Sequence, residues 1–303
     1  MFTSRWSTGP RVGVLVEDRY LAQAQPAGLV ARLQQRGVEV VVHVADRLPT
    51  DLGHPTMVGE VDFVVARGRS PRLLSLLRTL ETNGVAVLHD AAAIAAVVDK
   101  AAMSAALWRA GIPTPRTWLA TVAELQTLAD VPFPLLLKPL YGDNARGIEV
   151  VTDVADLAGL AWPEPVALAQ PFHRGDGHDI KLYVAGGGVW AVRRPSPIDV
   201  DGSVRADPDP GHEVPVTDEM VRIASACAEV FGLSLFGVDC VEVDGELMVV
   251  EVNEYPNYRG LACDADDFLC EVVLDAVAAT APQVPAPRTE PSVGARSALA
   301  VAR

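Results

Sequence analysis

Two stretches of this chain combine residue types and spacings that suit phosphate and metal chemistry. The first is LLLKPLYGDNARGIEVV (135–151). An apolar strand leads into Lys138, a loop with Gly142 and Gly147 follows, and a second apolar strand closes the unit. Glycine lets backbone N–H groups come close to an anion, and lysine adds a point charge. The lysine precedes the glycines, so this is not the GxxxxGK[ST] loop. An ordinary glycine-containing hairpin is the competing reading.

The second stretch is VDCVEVDGELMVVEVN (238–253), a strand, a turn and a strand. Asp239, Glu251 and Asn253 stand at the ends of otherwise apolar runs, with Glu251 and Asn253 on one face. A two-residue loop at Asp244-Gly245 would put Asp239 and Glu251 on opposite faces. A three-residue loop pairs Val243 with Leu247 and Val241 with Val249, and sets Asp239 opposite Glu251. Apolar matching favours the second register, with Gly245 taking the positive φ. Two carboxylates and an amide, with no His or Cys, form an oxygen donor set that points to Mg²⁺ rather than zinc.

Lysine usage adds a third clue. Of 25 basic residues only Lys100, Lys138 and Lys181 are lysines. A chain that otherwise writes arginine keeps lysine where a compact ammonium is needed; leftover surface lysines are the plain alternative. Lys181 returns the segment LAQPFHRGDGHDIKLYV (168–184), in which a strand ends at Gln170-Pro171-Phe172. Such an end can present main-chain groups to a nucleobase edge. His173 and His178 read as loop residues.

The elements that must position these residues follow from hydrophobic pattern. Strands at 11–16, 38–44, 61–68 and 85–89 alternate with helices at 21–36 and 71–84, the pattern of a mostly parallel sheet over 1–90. Asp90 caps one helix over 91–110, which Gly111 and Pro113 end. Mixed strands and short helices follow. Residues 180–193 form a hairpin through Gly186–Gly188, 195–216 a loop, and 218–232 and 264–281 two helices. The tail beyond has a mobile composition. The expected division is 1–90, a helix linker and central subdomain over 91–175, a C-terminal subdomain over 176–281, and the tail 282–303.

The chain has 303 residues and a formal charge of −14. An acidic chain repels phosphate backbones, so no nucleic-acid partner is expected. No apolar run approaches the roughly 18 residues of a membrane span, and the first residues show no secretory pattern. Four scattered cysteines without a CxxC pair fit a reducing, cytoplasmic setting. Oligomeric state is left open.

Taken in order, the motifs resemble the ATP-grasp superfamily: Lys100 in VVDK, GIPTP, KPLYGDNARG, the QPF hinge, DIKLYV with RRP, GVD and EVNEYP. The likeness spans about residues 90–262. It implies a mixed α/β (α+β) ATP-grasp fold, with ATP between the central and C-terminal subdomains behind an N-terminal parallel α/β domain. It also implies that Lys100 and Lys138 hold ATP phosphates and that Gln170, Pro171 and Phe172 hold adenine. The loop with Gly142, Asn144, Arg146 and Gly147 would close over the γ-phosphate. Asp239, Glu251 and Asn253 would bind two Mg²⁺, with Mn²⁺ as the alternative.

Two branches of the superfamily compete. DIKLYV and EVN resemble the ribosomal-protein glutamate ligases, which join a carboxylate to an amine through an acyl phosphate. LSLFGVD, RRPS and NEYPNYRG resemble the inositol polyphosphate kinases. A polyphosphorylated inositol needs several cations, and Arg67, Arg69 and Arg72 are the only N-terminal basic cluster. The balance favours a ligase acting on a small carboxylate and an amine. The kinase is the alternative, followed by a nucleotide-binding protein without turnover. Lys181, Arg194 and Arg259 are the candidates for gripping the carboxylate or its acyl phosphate. Tyr255 and Tyr258 line the substrate mouth or pack beside it, and Trp190 belongs to the core.

Overall fold

The computed structural model describes residues 9–47, 49–142, 145–199, 201–205 and 209–280. The expected tail and Asn144 lie outside them. The described residues build three sheets.

The first sheet holds β1 (Arg11–Val16), β2 (Glu39–Val44), β3 (Phe63–Arg67) and β4 (Ala86–Leu88), with α1 (Ala24–Gln35) and α2 (Pro71–Thr82) between strands. It is all parallel, in the order β2-β1-β3-β4. β3 is buried along its whole length, as befits a parallel strand covered on both faces. Ser70 caps α2 by accepting from Leu73 N, with Pro71 in the first helical position.

The expected single helix over 91–110 is two helices. α3 (Ala91–Val98) and α4 (Lys100–Arg109) meet at 94°. The hinge is Asp99, whose Oδ1 accepts from both Ala101 N and Ala102 N at 3.0 Å. A short acid that bonds the next backbone amides starts a new helix instead of continuing the old one. The Ala- and Val-rich flanks hide that break from periodicity. Among the described residues no single helix is long and apolar enough to cross a membrane.

The second sheet is antiparallel, with β5 (Trp118–Ala120), β6 (Leu135–Lys138), β7 (Glu149–Val151) and β8 (Ala167–Pro171) in the order β5-β8-β6-β7. Two short helices, α5 (Val122–Leu125) and α6 (Val154–Gly159), accompany it. The third sheet holds β9 (His178–Ala185), β10 (Gly188–Pro195), β11 (His212–Val214), β12 (Leu235–Val243) and β13 (Glu246–Asn253), ordered β11-β10-β9-β12-β13. β11 and a bridge between Ile198 and Val204 fall where only a loop was expected. The short strand is legible only against β10, its pairing partner.

α7 (Asp218–Phe231) joins α3 and α4 in one core on this third sheet. α8 (Ala265–Thr280) joins α1 and the parallel sheet in another. Trp190 is half-buried and stacks on Phe268 at 4.3 Å. Tyr258 is buried, its hydroxyl donating to Val184 O at 2.9 Å, so it packs.

Candidate active site

The 238–253 hairpin brings Asp239 opposite Glu251, as expected, but by a different route. The turn has two residues, Asp244 at φ 53° and Gly245 at φ 85°, and pairs Val243 with Glu246. That register alone would mismatch the carboxylates. A β-bulge between Asp239 and Cys240 leaves Val250 extra on β13 and restores the Asp239–Glu251 pair. Bulges re-aim side chains in this way near functional sites, and no local pattern in the sequence marks this one.

Around these carboxylates the chain gathers its cations. Lys181 Nζ donates to Asp239 Oδ2 at 2.8 Å and Arg194 Nη2 to Asp239 Oδ1 at 2.7 Å. Asn253 Nδ2 also donates to Asp239 Oδ2, at 2.7 Å. Burial pushes the Asp239 carboxyl up, but Lys181 and Arg194 outweigh it and hold it below the usual carboxylate range. Lys100, released from the helix break at Asp99, donates to Glu251 Oε1 at 2.8 Å and to Gly142 O at 2.9 Å. Lys138 ends β6 as a buried side chain. Burial draws its ammonium down to about 8, Glu251 opposing and Lys100 adding to the fall.

These groups line a cleft of about 850 Å³ between the three sheets. It takes in Lys100, Lys138, Lys181, Arg194, Asp239, Glu251 and Asn253, together with Gly142, Arg146, Gln170, Pro171, Phe172 and Arg259. All three lysines of the chain are therefore cleft residues, each 7% exposed. Arg146 and Arg259 are exposed at the mouth. Arg259 forms no ion pair among the described residues, unlike Arg194. Gly147 is not on the lining; its φ of 70° and a Pro139 side chain 3.0 Å from where a Cβ would stand explain the glycine. In the hinge, Gln170 Nε2 donates to Thr117 Oγ1 at 2.9 Å and Phe172 N to Pro134 O at 2.8 Å. Both of those donors are engaged within the protein.

The donor set fits Mg²⁺. Asp239, Glu251 and the Asn253 amide carbonyl are hard oxygen donors, and both carboxylates are balanced by ammonium or guanidinium groups. Among the described residues no cluster of three or more His, Cys, Asp or Glu side chains is placed to hold a metal. Two carboxylates completed by an amide and by phosphate oxygens match the way Mg²⁺ is held in nucleotide sites.

Several cleft residues escaped the sequence reading. Asp179 is buried, and burial together with Asp239 pushes its carboxyl up to about 6. It stands in the quoted DIKLYV motif, two residues before Lys181. From the parallel sheet, Arg69 reaches Glu254 at 2.9 Å and Asn253 at 3.3 Å, tying that sheet to the carboxylate hairpin. Arg67 and Gln23 also line the cleft. In the sequence these arginines show only as a cluster of charge.

Residues 97–271 match the family described as the RimK-like ATP-grasp domain. A probable alpha-L-glutamate ligase of Haemophilus influenzae is 28% identical over 216 residues, 67% of this chain and 70% of that protein. One from Legionella pneumophila is 30% identical over 199 residues, 62% of this chain and 65% of its own length. The chain thus spans about two thirds of these relatives. In three dimensions it is similar to the RimK domain protein ATP-grasp from Sphaerobacter thermophilus. The TM-score is 0.68 at 24% identity, covering 87% of this chain and 99% of that one.

Proposed function

The chain belongs to the RimK-like ATP-grasp family, and from that premise we propose that it joins a small carboxylate, an amino acid or peptide, to an amine at the expense of ATP. The ligase relatives do not favour the inositol-kinase alternative. One observation carries the division of labour: two opposed carboxylates, three ammonium groups and Arg194 converge on one cleft.

Lys100 and Lys138 hold the ATP phosphates, with Gly142 and Arg146 beside the γ-phosphate. Gln170, Pro171 and Phe172 flank the adenine. Asp239, Glu251 and Asn253 would hold Mg²⁺, as two ions, with Mn²⁺ able to replace it. When bound, the metal supplies positive charge against the phosphate oxygens. Lys181, Arg194 and Arg259 orient the substrate carboxylate, whose oxygen attacks the γ-phosphorus. The bond to ADP breaks, giving an acyl phosphate and ADP. The neutral amine then attacks the acyl carbon, phosphate leaves, and the amine loses its proton to solvent. Closing the cleft matters because water competes with the amine for the acyl phosphate.

The test is Mg-ATP turnover with hydroxylamine across amino acids, beside a panel of inositol phosphates. A hydroxamate that forms with one carboxylic acid supports the ligase. Phosphate transfer to an inositol, with no hydroxamate, overturns it.

A further inference from the structure

Arg67 is the last residue of β3, and the adjacent β1 ends at Val16. In the order β2-β1-β3-β4 the chain changes direction across the sheet between these two strands. Open parallel sheets take ligands in the crevice outside the carboxyl ends of the strands at such a reversal. Arg67 lines the cleft there.

The state of this side chain is unusual. It is 4% exposed, and among the described residues no carboxylate forms an ion pair with it. Its Nη2 points at Gln23 Oε1 and Asn257 Oδ1, both at 3.4 Å, longer than a normal N–H···O bond. Among the described residues its Nε is buried without a partner. The guanidinium carbon lies 4.2 Å from the Tyr20 ring centroid and 5.1 Å from that of Tyr255. The nearby carboxylates are engaged elsewhere. Glu254 takes Arg69, while Glu17 takes Arg19 and the backbone N–H groups of Arg69 and Ser70. Tyr255 Oη, on the same stretch of wall, is also buried without a partner among the described residues.

Burial of this guanidinium outweighs the Coulomb pull of Glu254, whose two carboxylate oxygens go to Arg69, and the tyrosine faces offset only part of the remaining cost. The missing element is an anion that arrives from the cleft. A carboxylate fits the planar fork of arginine through two parallel bonds. The lysines assigned to phosphate stand on other elements, α4 and β6.

We propose that Arg67, beside Gln23, Tyr20 and Tyr255, binds a free carboxylate of the substrate other than the one being activated. The substrate is then an amino acid, or a peptide end, that keeps an unreacted carboxylate; simple amines and α-amides are poor ligands. This rests on the ligase reading above.

The experiment is thermal melting of the full chain and of the Arg67→Met and Arg67→Lys variants. The probes are MgADP, inorganic phosphate, and the twenty L-amino acids beside their α-amides. At least one free amino acid should raise the wild-type midpoint while its amide does not. Arg67→Met should lose that response, with apparent affinity down roughly 10- to 100-fold, and Arg67→Lys should keep part of it. MgADP should stabilise all three proteins. The proposal is overturned if no free amino acid shifts the wild type, if acid and amide act equally, or if Arg67→Met responds fully. An Arg67-dependent shift with phosphate alone also overturns it. Failure of MgADP to stabilise any of the proteins would count against the nucleotide site, a separate matter from the acid–amide comparison.

Discussion

Asp239 faces Glu251 because Val250 is extra in β13. The pair therefore depends on a local irregularity, and each carboxylate has its own cation: Lys181 and Arg194 on one, Lys100 on the other.

Glu251→Gln should lower Mg-ATP turnover at least about 100-fold, because it removes a charged ligand and leaves the Lys100 ammonium without its carboxylate. The Mg²⁺ concentration for half-maximal rate should rise as well. Steady-state rates over a Mg²⁺ titration check this, and an unchanged Mg²⁺ requirement would remove Glu251 from the metal site.

Lys138 should impose an alkaline limit. Its ammonium is drawn to about 8 in the free protein, so above that pH a growing fraction is neutral. The kcat/KM for ATP should then fall by up to about tenfold per pH unit. Arg keeps its charge there, so Lys138→Arg should flatten this limb. A wild-type profile that is level from pH 7 to 9.5 contradicts the assignment.

Asp99 both ends α3 and starts α4. Asp99→Ala should reduce stability by about 1 kcal/mol through the lost cap. It should also raise the KM for ATP, because the cap fixes the first residue of α4, Lys100. Asp99→Ser, which still caps, should recover most of both effects. Urea melts and ATP kinetics on the two variants separate these outcomes.

His89 predicts acid sensitivity. Its Nε2 accepts from Ser234 N and Leu235 N, each at 3.0 Å, which fixes the neutral ring and joins β4 to the start of β12. Burial draws its pKa from 6.5 to about 4, against smaller opposing effects from Asp90 and the backbone of Glu254. As pH falls from about 6.5 to about 4, the unfolded chain takes up the proton and the folded chain does not. Stability from this group is present above 6.5 and declines by about 3 kcal/mol across that window. His89→Gln should be less stable at pH 7 and show a shallower decline by urea melts at pH 7 and 5. Equal slopes would exclude His89 as the cause.

Much of this was legible in the residues. The parallel sheet announced itself in apolar runs, the cation set in the scarcity of lysine, and the metal candidates in polar ends on an apolar hairpin. The misses share a cause. Val250 looks like any other strand valine, because a bulge depends on pairing across two strands. Asp99 sits in a run whose apolar pattern continues through it. Arg67 draws its meaning from Asn257, 190 residues away, and from tyrosines on two separate segments. Such settings arise only when distant elements pack.

The gathering of all three lysines in the cleft has a consequence for the rest of the surface. Outside that cavity no lysine is available to an acylating reagent, a cross-linker or a lysine-directed modification. The exterior meets its surroundings through guanidinium groups alone among the permanently cationic side chains. Lysine acylation of the intact protein would thus report one place only, and protection by a bound nucleotide would read directly as occupancy of the cleft.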